Sequence, residues 1–513
     1  MMPSPSRGPS WARFALINLI ALGVMAAWYW CANLPQPIVD VLPGEDRLQC
    51  VSYAPYYRPG ESPLDPDFQV SRERLDADLA RLAQITRCVR LYSVDQGLAA
   101  VPELAGKHGL KVLVGAWIGR DAKKNDAELS VAIALANAHR DVVRGLIVGN
   151  EVLLRREQTE EGLRAYIERA QQDTEVPVTY ADVWEFWLKH KDLASAVDFA
   201  TIHILPYWED EPRAIDEALP HVSRVMDAMS AALGKPLLIG ETGWPSVGKQ
   251  RDGARPGLVE QARYIREFLN AAHDRGWQYN VIEAFDQPWK RWLEGTVGGY
   301  WGMLDSDARP KFAFQGPVAE RADGDRPMMA AAAGLCIAAL LAWVARPGRS
   351  GAVASFALSG ALAGMIFPAQ VEFLAVSSRG IGDWLALGSM ALAGWLAWVA
   401  MPFAMAGRAD AVLRWALRAL LFGVAAAGLL LAVDGRYRDF PFLLFLMPAA
   451  QFGVALRFAG FRLVPHPPEA VAFATIAIAG SLIAWLMDWR NVQAFAWAVM
   501  ATAFASAFLK RQR

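Results

Sequence analysis

The chain has 513 residues, enough for about three domains, and its 54% hydrophobic content with 20 tryptophans excludes a wholly soluble protein. The 51 basic and 52 acidic side chains nearly cancel, and the polar part carries no block of like charge, so a nucleic-acid partner has no electrostatic basis. Four cysteines, with no Cys-x-x-Cys and no Cys/His cluster at ligand spacing, point to no zinc or redox site, and no metal or cofactor is expected.

In chain order, residues 14–31 come first: an apolar run that follows Arg7 and Arg13 and is long enough to span a bilayer. It ends on Trp28, Tyr29 and Trp30, where a cleaved signal peptide would carry small residues, so residues 1–35 read as a cytoplasmic tail and uncleaved signal anchor. A linker over 36–47 leads to a domain over 48–322. Within it, strand-like segments recur at 48–57, 87–93, 111–119, 144–151, 177–184, 199–208, 236–244 and 279–288, about every 33 residues, with helical stretches between them. That pattern predicts the α/β class and a (β/α)8 TIM barrel. Cys50 and Cys88 stand near the starts of the first two strands, where they either pair in an oxidising compartment or remain thiols. Cys31 and Cys336 fall in or beside hydrophobic helices and read as inert thiols.

Two of the strands end on glutamates. Gly145-Leu-Ile-Val-Gly-Asn-Glu151 and Pro236-Leu-Leu-Ile-Gly-Glu-Thr-Gly-Trp-Pro245 are apolar runs of the kind buried on both faces, with charge only where the strand emerges. Catalytic groups gather at that end of a parallel barrel. One carboxyl held as an acid and one free as a nucleophile are the minimal equipment for cleaving a glycosidic bond.

Around these residues, Val51-Ser-Tyr-Ala-Pro-Tyr56, Val89-Arg-Leu-Tyr92, Gly149-Asn-Glu151, Gly240-Glu-Thr-Gly-Trp-Pro-Ser246 and Glu283-Ala-Phe-Asp-Gln-Pro-Trp-Lys290 resemble the strand-end motifs of glycoside hydrolase family 17. These are retaining β-1,3-glucanases and β-1,3-glucanosyltransferases. The resemblance covers about residues 48–315 and implies Glu151 as acid/base, Glu241 as nucleophile and a β-glucan substrate. It also implies that Asn150 binds the sugar 2-hydroxyl, with a turn role as the alternative, and that Glu283 and Lys290 tune the acid and bind sugar, with a structural ion pair as the alternative.

Tyr207, at the end of strand 6, is placed to orient Glu241 by a hydrogen bond or else to serve in packing; His203, four residues deeper, reads as a satisfied barrel histidine. Tyr53, Tyr92 and Asp95, near the ends of strands 1 and 2, are candidate cleft-wall residues. Trp117, Trp244, Trp289 and Trp292 offer flat faces for stacking on glucose rings.

Beyond Arg326, apolar stretches at 328–345, 352–371, 383–404, 412–433, 440–457, 469–487 and 492–509 predict an all-α transmembrane bundle of about seven helices over 328–510. With the N-terminus inside, twelve basic residues (Arg7, Arg13, Arg346, Arg349, Arg408, Arg414, Arg418, Arg457, Arg462, Lys510, Arg511, Arg513) fall on the inner side. Only Arg379, Arg436, Arg438 and Arg490 fall in the outer short loops, which orients the chain with the barrel outside the cytoplasmic membrane. Glu372, Asp383 and Asp488 fall at outer edges instead of mid-span, which disfavours a transporter and favours an anchor in membrane lipid, or a docking bundle for a glucan synthase or exporter. The sequence thus reads as a membrane-anchored glucan-active enzyme that transfers glucosyl units, with endo-hydrolysis or a catalytically idle glucan receptor as the competing readings.

Overall fold

The computed structural model describes residues 9–44, 46–347, 351–461 and 467–509. Arg7, Arg349, Arg462, Lys510, Arg511 and Arg513 of the charge count lie outside the described residues. The chain divides into a barrel unit, Gln36–Val247 with Gly253–Val318, and a helical unit of Met1–Pro35, Gly248–Asp252 and Ala319–Arg513.

The barrel is closed and parallel, with β1 (Val51–Ser52), β2 (Cys88–Arg90), β3 (Lys111–Ala116), β4 (Val143–Asn150), β5 (Val178–Val183), β6 (Ala200–His203), β7 (Leu237–Thr242) and β8 (Gln278–Val281) paired in chain order. Val51 on Val281 closes the ring. All eight expected strands are present. All but β4 are shorter than the expected segment, because residues past Ser52, His203 or Val281 leave the ladder to build loops at the carboxyl end. The intervening helices begin where sequence offers a side-chain acceptor: Ser71, Asp121 and Thr159 each accept from a first-turn N–H. Two end on glycines in the left-handed region, Gly234 (φ 59°) and Gly276 (φ 65°). Cys50 and Cys88, at the starts of neighbouring strands, form a disulfide. Before β1, Gln36 bridges antiparallel to Val318, and Val41 is buried in the barrel core.

Among the described residues of the helical unit, six helices are long and apolar enough to cross a membrane: Trp11–Asn33, Arg326–Ala345, Ala352–Ser377, Ile381–Met405, Asp410–Val433 and Pro468–Leu486. Two of the expected spans, Phe442–Phe458 and Val492–Phe508, are shorter. The first of these is π-helical over Ala449–Ala455, and wider turns advance less per residue, so it falls below the roughly 30 Å of a bilayer core. Helices Arg326–Ala345 and Ala352–Ser377 touch backbone to backbone. A Cβ on Gly360 would lie 2.2 Å from the Gly334 carbonyl oxygen, and one on Gly364 would lie 2.0 Å from that of Ala330. Small residues four apart permit that approach where lipid offers no hydrophobic drive. Glu372 meets Arg321 at 2.6 Å and Asp383 meets Arg379 at 2.9 Å, so these edge charges are paired.

Candidate active site

Gly149 (φ 86°) and Glu151 (φ 53°) turn the chain sharply as β4 ends. A left-handed conformation is costly for a glutamate and is held here by the Glu151 N–H donating to Ala181 of β5 at 2.7 Å. On the opposite part of the rim, the β6–β7 register slips between Ile202 and His203, which sets His203 beside Glu241. Such a slip re-aims a side chain. Gly240 makes the arrangement fit, because a Cβ there would stand 2.4 Å from Thr201 Cγ2 and 3.0 Å from His203 Cδ2.

The result is a compact constellation. One carboxylate oxygen each of Glu151 and Glu241 and a ring nitrogen of His203 all lie within 4.8 Å of one another. Glu241 is buried; its Oε1 accepts from the Tyr92 hydroxyl at 2.8 Å and from Arg90 Nη1 at 3.1 Å. Burial pushes its carboxyl up, but His203, Arg90, the Tyr92 hydrogen bond and Lys290 together outweigh burial and hold it below the usual carboxylate range. Glu151 is the more open of the two: Oε1 meets His203 Nδ1 at 3.1 Å and Oε2 faces Arg155 Nη1 at 3.9 Å. An ionised carboxylate beside a more accessible carboxyl suits nucleophilic and acid/base work. The same three groups have the spacing to hold a divalent cation, although Arg90, already on Glu241, places a competing positive charge there.

Several sequence candidates meet here. Asn150 accepts from Arg90 Nη2 at 2.5 Å through Oδ1, and Tyr92 also bonds Ser52 at 3.0 Å. Lys290 donates to both oxygens of Glu283 at 2.8 Å; burial nevertheless pushes the Glu283 carboxyl up to about 7. Tyr207 is fully buried, its ring packed among Trp208, Trp244 and Trp301. Others differ from expectation. Tyr53 is no cleft wall: it is buried and donates to Asp78 of the helix Arg72–Leu82 at 2.9 Å. Trp244 offers no stacking face, since it is fully buried against Tyr207 and Tyr264, with its indole N–H on the Arg255 carbonyl. Asp95 is exposed and accepts from the backbone of Gln96. Trp117 is 41% exposed, with one face covered by Arg155 at 4.3 Å, and Trp289 is half-buried; Trp292 stands free at 63% exposure.

Three site residues escape the sequence reading. Arg90 is fully buried and joins Glu241, Asn150, the Gly240 carbonyl (2.6 Å) and His203. Its signal was available: a charge inside a buried strand demands partners. His203 touches Glu151 where a packing role was expected. Glu128, on the helix Ala122–Ala138, accepts from Ser93 and from the N–H groups of Val94 and Trp117, so it ties together the loops after β2 and β3; nothing local marks it.

Residues 50–302 match the family model of the BtgE/BtgC glycoside hydrolase domain. The chain is 28% identical over 280 residues to a putative glucan endo-1,3-β-glucosidase, btgC, of Aspergillus niger, covering 48% of this chain and 40% of that protein. It is also 28% identical over 257 residues to a glucan 1,3-β-glucosidase of Arthroderma benhamiae, covering 46% and 82%. The chain thus spans less than half the length of the btgC protein. Among solved structures, an active-site mutant of Rhizomucor miehei β-1,3-glucanosyltransferase in complex with laminaritriose aligns at 25% identity and a TM-score of 0.46, over 52% of this chain and 96% of that one. Residues 50–302, a closed eight-stranded barrel with two glutamates at its rim, are thus similar to a glycoside hydrolase domain.

Proposed function

We propose that this protein is a retaining enzyme acting on β-1,3-glucan, with Glu241 as nucleophile and Glu151 as acid/base. The observation that carries the reading is the approach of the two carboxylates to within 4.8 Å. Retaining enzymes keep their carboxyl groups about 5–5.5 Å apart, whereas inverting ones leave roughly 6.5–9.5 Å for a water. In the first half-reaction Glu241 bonds to the anomeric carbon. The glycosidic C–O pair leaves with the departing oxygen, which takes the proton of Glu151. In the second, the Glu151 carboxylate takes the proton of an acceptor hydroxyl. The acceptor oxygen bonds to the anomeric carbon, and the ester pair returns to Glu241.

The substrate class is carried over from the fungal relatives. Asn150, with its Oδ1 fixed by Arg90, is the proposed partner of the sugar 2-hydroxyl, and Tyr207 the proposed orienter of Glu241. A sugar acceptor, giving transfer, is supported by the exposed Trp292 beyond β8, an available stacking face. Hydrolysis is the second reading, favoured by the endo-glucosidase names of the relatives. The oxidised Cys50–Cys88 pair, the six long apolar helices and the charge asymmetry support a barrel outside the cytoplasm, anchored in lipid, with the helical unit available to a glucan synthase or exporter.

The test is incubation of the purified full chain with laminari-oligosaccharides as sole substrate. Products longer than the starting material should appear before short fragments dominate. Only shorter products at every time point would leave endo-hydrolysis, and no turnover of any β-1,3-glucan would refute the enzyme reading.

A further inference from the structure

His203 occupies a place that the two-glutamate mechanism does not use. Its side chain has no solvent exposure, and its two ring nitrogens face different partners: Nδ1 lies 3.1 Å from Glu151 Oε1, while Nε2 lies 3.5 Å from Arg90 Nη2 and 3.7 Å from Glu241 Oε1. A guanidinium can only donate and an ionised carboxylate can only accept. The N–H at Nδ1 is therefore aimed at the Glu151 oxygen, while Nε2 stands between the Arg90 guanidinium and the Glu241 carboxylate. The ring cannot drift, because it lies against the backbone at Gly240, where a Cβ would stand 3.2 Å from Nε2. Arg90 is itself fixed by the Gly240 carbonyl and Asn150, so the ring is held by a buried scaffold.

From this geometry we infer that His203 is a positioning residue for Glu151. It occupies Oε1 and so reserves Oε2 as the oxygen that carries the proton out in the first half-reaction and accepts one in the second. The inference rests on the assignment of Glu151 as acid/base. In the second half-reaction the consequence is sharpest, because the Nδ1–H bond holds one oxygen of the newly formed carboxylate and leaves Oε2, which faces Arg155 at 3.9 Å, to take the acceptor proton. No proton passes through the imidazole: the acceptor proton ends on Glu151, and the ester electron pair ends on Glu241.

An aryl β-glucoside donor with a leaving group that needs no protonation separates this role from general support of the fold. With the full chain in detergent, His203→Ala should lower kcat by about 10-fold or more and lower KM in parallel. kcat/KM for the aryl donor should change by less than about threefold, and a pre-steady-state burst of aryl alcohol should appear as glucosyl-enzyme accumulates. His203→Asn, whose side-chain amide can place an N–H near the Nδ1 position, should restore most of kcat. Glu151→Ala run in parallel tests the underlying assignment: it should spare aryl kcat/KM and be rescued by azide. If Glu151→Ala damages aryl and natural substrates equally, the acid/base assignment falls and this inference with it. If Glu151→Ala behaves as an acid/base variant but His203→Ala shows no burst, or His203→Asn does no better than His203→Ala, the inference alone is overturned.

Discussion

Replacing Arg90 with alanine probes how the site keeps a buried carboxylate ionised. The guanidinium is fully buried and bonds Glu241 Oε1, the Gly240 carbonyl and Asn150 Oδ1, so its removal strands Glu241 in the barrel interior. Breaking a buried ion pair from one side costs about 3–5 kcal/mol. At roughly 2–4 °C per kcal/mol for a domain of this size, the barrel transition should fall by about 6–20 °C near neutral pH. The pH dependence gives the mechanism its signature. Glu241 is depressed in the folded protein, so its contribution to stability is present above its unfolded pKa and lost as pH falls through the lower folded value. Without Arg90, burial is less opposed, the folded value rises, and that contribution shrinks. The gap in melting temperature between wild type and Arg90→Ala should therefore be largest near neutrality and narrow as acid protonates Glu241 in both. The acid limb of kcat/KM should move to higher pH over the same interval. Arg90→Lys should fall between the two, since it keeps a cation and loses the fork that reaches Asn150. Thermal melts and pH–rate profiles on the detergent-purified chain read both effects. A melting temperature within about 2 °C of wild type, together with an unmoved acid limb, would refute the reasoning.

Four further outcomes are expected. Glu241→Gln, a nearly isosteric change, should abolish turnover while the barrel still folds, and more than a few per cent residual activity in a clean preparation would exclude it as nucleophile. Glu294, pushed up to about 7 by burial despite Lys290, contributes stability below its unfolded pKa and loses it as pH rises through about 7. Glu294→Gln should then flatten the fall in stability between pH 4.5 and about 7 by up to roughly 3 kcal/mol, measured by melts across that range. Removing the disulfide by Cys50→Ser with Cys88→Ser, across a sequence separation of 38, should cost about 4 kcal/mol of barrel stability by the loop-entropy relation, read by chemical denaturation. Gly360→Leu, which drives a side chain into the Gly334 carbonyl, should destabilise the helical unit by about 3 kcal/mol or more, whereas Gly388→Leu, at an open position, should not; thermal unfolding in detergent separates the two.

The eight strands and the two rim glutamates were legible because both are local signals. An apolar run bounded by glycine announces a doubly covered strand, and a carboxylate at its carboxyl end stands out against it. Residue type alone carries no such information about which way a side chain faces once the chain leaves the ladder. Tyr53 and Tyr92 each stand beyond a short strand, yet Tyr53 turns outward to Asp78 while Tyr92 reaches Glu241. Trp244 and Trp292 are equally aromatic in sequence, and only the packing of Tyr207 and Tyr264 on Trp244 decides that one is core and the other surface. Arg90 is a different kind of omission. A strand of three residues, Cys88-Val-Arg90, with a guanidinium at its end cannot be read as core without asking what neutralises it. In a closed parallel barrel the answers can come only from the interior or the rim. Asn150 and Glu241, at the ends of β4 and β7, are the acceptors within reach, and Arg90 joins them.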